Sequence, residues 1–225
     1  MSPSKPAMEP PRVLLLSVEL KPEFDQVYQA HLKKLAEKAI IQRAKTANEA
    51  ILALYHTPPF AAAIVTDNAI IKRHHAQIYE TLLKYVRHGG TAIFMGYFTN
   101  CTPPTELKPF FLKAGLQWEG GSYHQATFTL NRPTVSEDLA AKLPPMISQK
   151  AFALRSVKFD QAWYRSSKAD EPSTYAMAWP SESLPRQPEA AVAVAKIGKG
   201  KFAYLGDTNA EDGTGDVILA LCGFL

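Results

Sequence analysis

Six polar residues stand directly beyond short apolar runs of this chain. Glu19 follows Arg12–Val18, Asp67 and Asn68 follow Phe60–Val65, Tyr97 follows Thr91–Met95, and Asp207 and Asn209 follow Lys201–Leu205. If the runs are parallel strands, the six converge on one crevice, because open parallel sheets bind ligands beyond the carboxyl ends of their strands. Glu19 and Asp67 would form a carboxylate pair, one with a raised pKa serving as acid or base. Tyr97, turning sharply off the strand beside Gly96, would donate its phenol to a substrate oxygen. Asp207 follows Gly206, which lets the backbone bend at the crevice. His124 is the best general base, provided its segment folds over the site. The catalytic candidates are thus Tyr97, Asp207, Glu19 and His124, and the ligand-binding candidates Asp67, Asn68, Gly96 and Asn209. Each has a plainer role open to it: the carboxylates can cap helices or hold turns, Tyr97 and Phe98 can plug the pocket, and His124 can be an exposed strand residue.

The other histidines offer less. His56 and His88 end helices, where a cation suits the local dipole, and His31 lies on a helix face. His74 and His75 open a helix near the crevice and could reach it. No Cys or His group has zinc-ligand spacing. The segment Asp207–Gly213 misses a calcium loop, with Gly one place late and Ile218 at position twelve. Gly198-Lys199-Gly200-Lys201 precedes a strand, not the helix of a phosphate loop. No metal and no cofactor is expected.

Alternating strands and helices must position these residues. After the strand Arg12–Val18, a helix from about Pro22 carries Phe24, Val27, Tyr28, His31, Leu32 and Leu35 at helical spacing. Ala39–Arg43 is a second strand. Thr46 N-caps a helix to Tyr55, with Glu49 as its capping-box partner. Strand Phe60–Val65 precedes a helix Arg73–His88, which Gly89 closes in the left-handed conformation. Strand Thr91–Met95 then leads to the turn at Gly96-Tyr97-Phe98 and a helix capped by Thr102 or Thr105. Four such units predict a mostly parallel, doubly wound α/β sheet. From residue 117 to 188 the pattern changes to strand-like pieces, Tyr123–Leu130, Phe152–Phe159 and Tyr175–Trp179, between Pro-rich turns. This reads as an antiparallel extension at the sheet edge. Ala190–Ile197 and Lys201–Leu205 form a hairpin, and a helix Asp216–Cys222 closes the chain.

Composition narrows the classes. The 225 residues suit one α/β domain over 12–225, preceded by a disordered Pro- and Ser-rich lead-in over 1–11. The 25 basic residues are scattered, at a net charge of +4, so nucleic acid is not an expected partner. No apolar run reaches the ~20 residues that span a membrane. Two distant cysteines and no signal peptide point to a reduced, cytoplasmic chain.

Two stretches carry a family likeness. Val86–Tyr97 has a helix ending in Arg-x-Gly-Gly, a strand and an elbow turn. Gly198–Asp207 has a Gly-Lys-Gly-Lys hairpin and a strand ending in Gly-Asp. Together they resemble the class I glutamine-amidotransferase-like superfamily, its trehalose-utilisation (ThuA-like) branch above all and its protease/deglycase branch less closely. Trp118-Glu119-x-Gly121-x-Tyr123-His124 and Gly206-Asp207-x-Asn209-x-Glu211 are similar to uncharacterised fungal proteins of that fold. The resemblance implies a flavodoxin-like three-layer sandwich. It also implies an elbow cysteine and a late His-x-Glu pair in the amidotransferases, and neither is present. Gly96 and Tyr97 occupy the elbow tip, Cys101 lies further on, and Asp207, Asn209 and Glu211 follow the last strand without a His. Glu19, Glu23 and Asp25 follow the first strand, where the deglycases keep a Glu, but have no thiol to tune. Glutamine hydrolysis through a thioester is therefore not expected.

Two readings follow. In one, the domain has lost its catalytic Cys and serves as a non-catalytic small-molecule-binding or dimerisation module. In the other, it is an intracellular non-thiol hydrolase or lyase using the carboxylate/Tyr crevice. A small-molecule ligand and a homodimer are the partners that either leaves open. An open polar crevice around Tyr97, Glu19 and Asp207 would favour the enzyme; one filled by side chains would favour the module.

Overall fold

The computed structural model describes residues 10–57, 59–166 and 188–225. The expected strand Tyr175–Trp179, its flanking turns and most of the lead-in lie outside these residues. In chain order the elements are β1 (Arg12–Leu16), α1 (Phe24–Val27), α2 (Gln29–Ala36), β2 (Ile40–Ala44), α3 (Ala47–Leu54), β3 (Ala62–Val65), α4 (Ala76–Arg87), β4 (Thr91–Phe94), α5 (Tyr97–Cys101), α6 (Pro104–Leu112), β5 (Glu119–Leu130), α7 (Glu137–Lys142), β6 (Met146–Arg155), β7 (Ala162–Ser166), β8 (Ala190–Ile197), β9 (Gly200–Leu205) and α8 (Thr214–Cys222).

The strands form one sheet in the order β2-β1-β3-β4-β9-β8-β6-β5-β7, with β7 also pairing back onto β8. The expectation of a mostly parallel, doubly wound flavodoxin-like sheet is overturned by the ladders. Four are parallel (β1 with β2 and β3, β3 with β4, β4 with β9). Five are antiparallel (β5–β6, β5–β7, β6–β8, β7–β8, β8–β9). The antiparallel strands also close: β8, β6, β5 and β7 return to β8 as a small barrel-like ring rather than extending an edge. The physical cause is β5. It is 12 residues long and irregular between Gly120 and Tyr123, so it pairs with β6 along most of its length and with β7 at its end. A bulged, twisted strand of this kind bends a sheet toward closure.

Strand alternation divides the core. Leu14, Leu16, Phe94, Phe202 and Tyr204 face α3, α4 and α6. Val13, Leu15, Ile93, Met95 and Leu205 face α1, α2, α7 and α8. The Thr46 hydroxyl accepts from the Glu49 amide as expected, at 3.2 Å. Neither Thr102 nor Thr105 caps α6, whose N-cap is Pro103; the Thr102 hydroxyl donates back to the Phe98 carbonyl instead.

His31 on α2 is buried, and its Nε2 has no hydrogen-bond partner. Burial, then Lys34, push its pKa below the ordinary 6.5, against weaker pulls from Asp212 and Asp216. A depressed folded pKa means that the unfolded chain binds this proton more tightly. The His31 contribution is full above pH 6.5 and is lost as pH falls through the depressed value. Thermal melts on either side of pH 6.5 should show this loss, and His31→Leu should flatten it; an unchanged slope in that variant would assign the loss to other groups.

Candidate functional site

At the end of β4 the chain makes an elbow. Gly96 has φ 67° and ψ −127°, leading directly into α5. Strained strand-to-helix turns of this kind expose nucleophiles in α/β hydrolases. Here the space is taken. A Cβ on Gly96 would lie 2.9 Å from Phe24 Cε2 and 3.4 Å from the Tyr28 ring. Phe24 and Tyr28 stack with ring centroids 4.7 Å apart, and both are buried. Tyr97 leans on the Phe24 ring. The Tyr28 hydroxyl is buried without a partner, and its pKa is pushed up by burial and by Asp207, Tyr97 and Cys101. Their helical spacing marked Phe24 and Tyr28 as core. That they fill the elbow depends on the loop after β1, which local patterns do not reveal.

The candidate residues divide into groups on either side of this plug. Glu19 and Asp67 are neighbours, but through the Glu19 backbone amide, which donates to Asp67 Oδ2 at 3.0 Å, rather than as the expected pair of carboxylates. Asp67 Oδ1 accepts from the Ala69 amide at 3.0 Å, so both of its oxygens hold turns. Burial pushes the Asp67 pKa up, against those amides. The Lys72 ammonium pairs with Glu19 Oε2 and draws its pKa down. His75 Nε2 lies 4.0 Å from Glu19 Oε1. Ligand atoms of Glu19, His74 and His75 lie within 4.8 Å of one another, a grouping that chain spacing could not disclose. Asn68 ties this corner to α5, its Nδ2 donating to the Cys101 carbonyl at 2.8 Å.

Asp207 is buried, and its carboxylate is engaged by its own loop. It accepts from the Asn209 amide (2.9 Å), the Glu211 amide (2.8 Å) and the Thr214 hydroxyl (2.5 Å). Burial raises its pKa, with these donors pulling the other way. Asn209 is exposed. His124 lies on β5, across the ladder from Ala151, with its ring near Phe128. Its Nδ1 is 2.8 Å from Ser122 Oγ, while Glu189 binds that same hydroxyl. In a catalytic triad the acid orients the histidine; here it holds the serine, so the three do not make an activated nucleophile.

Sequence reasoning missed an open cleft of about 380 Å³ between α5 and the β5–β6 hairpin. Its walls include Cys101, Pro103, Pro104, Tyr123, Phe152 and Thr208. Lys150 Nζ sits 5.0 Å from the Tyr123 ring centroid. Tyr123 adjoins His124 in sequence but points elsewhere, as alternation along a strand requires.

No protein-family model matches the chain. No curated protein matches it either. Solved structures do. A ThuA-like protein from Bacteroides uniformis superposes with a TM-score of 0.62 at 12% identity, over 99% of this chain and 94% of that one. A second, from Parabacteroides merdae, gives 0.59 at 14%, over 96% and 90%. A protein from Thermoplasma acidophilum described as a GMP synthase component gives 0.51 at 9%, over 96% and 94%. At these identities the likeness is one of fold. It agrees with the amidotransferase-like resemblance of the Val86–Tyr97 and Gly198–Asp207 stretches. Among the described residues no helix is long and apolar enough to cross a membrane.

Proposed function

We propose that this chain is a non-catalytic small-molecule-binding module on an amidotransferase-like scaffold that has lost the elbow cysteine. One observation carries the reading: Phe24 and Tyr28 occupy the space that a side chain at Gly96 would need. The acid–base alternative draws little support, since both oxygens of Asp67 and all the polar capacity of Asp207 facing the loop are committed to local donors. The ligand site of this reading is the cleft beside α5, whose volume falls in the usual range for small-molecule pockets. Pro103, Pro104, Tyr123 and Phe152 supply apolar walls, and the Lys150 ammonium over the Tyr123 ring is the nearby cation this reading enlists. That chemistry suits a small aromatic or aliphatic carboxylic acid.

A thermal-shift screen of such acids tests this. A ligand at a hundred times its Kd should stabilise by about 2.7 kcal/mol, a rise of roughly 5–10 °C for a chain of this size. Tyr123→Ala, at a side chain 53% exposed, should leave the unliganded melt unchanged and abolish the rise. A ligand-induced rise that survives Tyr123→Ala would overturn the site.

A further inference from the structure

We propose that Glu19, His74 and His75 form a three-ligand site for a divalent cation of the zinc class, beyond the ends of β1 and β3. Two imidazoles and one carboxylate are a donor set that binds zinc and leaves a fourth position open. Their ligand atoms already lie within 4.8 Å of one another. A tetrahedral zinc with bonds of 2.0–2.1 Å needs its ligands about 3.4 Å apart. The gap is closed by side-chain rotation alone, since His74 is exposed and Glu19 half-exposed.

The surroundings prepare these side chains. The loop carrying Glu19 is tied to the loop after β3 by the Glu19 amide on Asp67. Lys72 holds Oε2 of Glu19 and leaves Oε1 facing His75. A carboxylate fixed through one oxygen and free at the other is the arrangement that second partners give to metal ligands. The His75 amide donates to the Lys72 carbonyl at 2.9 Å and fixes the turn, while the ring Nδ1 is buried without a partner. An imidazole held on a short turn, uncommitted and facing a carboxylate, has no evident structural task. The His74 ring lies beside it, with centroids 4.1 Å apart and planes tilted by 53°, and a nitrogen of each ring falls within the same 4.8 Å group as the Glu19 carboxylate.

The site is separate from the cleft beside α5 and stands or falls independently of a ligand there. Its test is a zinc titration of the full chain against a chromogenic chelator, with cobalt(II) as a spectroscopic stand-in. A single equivalent should bind, cobalt should give the strong visible bands of a four-coordinate site, and zinc should raise the melting temperature. Glu19→Gln and His74→Ala should each weaken zinc binding tenfold or more. His74 is exposed, so its removal leaves the fold intact, and melts without metal check both variants. His88→Ala, at the far end of α4, should change nothing. Zinc binding that is undiminished in Glu19→Gln, or that falls equally in His88→Ala, would overturn the site, as would absence of binding to the parent chain.

Discussion

Replacing Gly200 with alanine is expected to lower the melting temperature by about 8 °C or more. A Cβ there would lie 2.1 Å from both the Gly90 and Val86 carbonyl oxygens. These are backbone atoms and cannot swing aside. The hairpin between β8 and β9 is docked on the end of α4 by the Lys199 amide on the Arg87 carbonyl (3.1 Å) and the Lys201 amide on the Gly90 carbonyl (3.0 Å). Forcing them apart breaks that seam and disturbs the start of two central strands. Losses from such overpacking reach about 4 kcal/mol, and each kcal/mol is worth roughly 2–4 °C in a chain of this size. Gly115→Ala is the control. It must hold a left-handed φ of 79° but meets no atom within 4 Å, so it should cost only about 1–2 kcal/mol. Equal melts for the two variants would remove the seam from the account.

Asp207→Ala should be the second most damaging change, and Asp207→Asn a mild one. Alanine strands three donors, including the buried Thr214 hydroxyl. At about 1–3 kcal/mol for each unsatisfied group, part of it regained by water, the loss is about 3 kcal/mol. Asparagine keeps an acceptor oxygen and resembles the protonated acid. The sign follows from burial, which raises the folded pKa of Asp207. The stability linked to its proton is full below the ordinary 3.8 and is lost as pH rises through the raised value. The Asn variant has no such titration and lacks this pH dependence. Denaturant melts of both variants decide the role: a loop holder tolerates Asn and fails with Ala, and equal losses for the two would remove that role.

What could be read from the sequence was local or set by strand ends. Thr46 and Glu49 announced their helix because the cap is closed within four residues. Gly198-Lys199-Gly200 announced its hairpin, and Glu19 and Asp67 met because each leaves a neighbouring parallel strand. The two stretches that carry the family likeness prove to touch: Gly200 fits against Val86 and Gly90. Their shared pattern reflects packing at the end of the sheet away from Glu19 and Asp67. What stayed hidden depends on distant partners. The α7 helix and the short β7 strand carry little signal of their own. Ring closure rests on Phe128 facing Ser166 and on Ala162 facing Ala193, pairings that no window of sequence contains. Asp207 looked chemical because it ends a strand; only the fold shows Thr214 and the two amides waiting for it. His75 acquires a purpose only when Glu19 arrives beside it.

The return of β7 onto β8 has a consequence for association. An open sheet has two unpaired margins, and strand addition at both propagates into fibres. Here the antiparallel side is consumed by its own closure, and among the described residues β2 alone pairs on one side only. That margin is five residues long, with Gln42 and Arg43 in it and Lys38 and Lys45 flanking it. Two copies joined β2 to β2 would satisfy each other completely and present no further strand. Growth by this route stops at a pair, whose two-fold symmetry closes it.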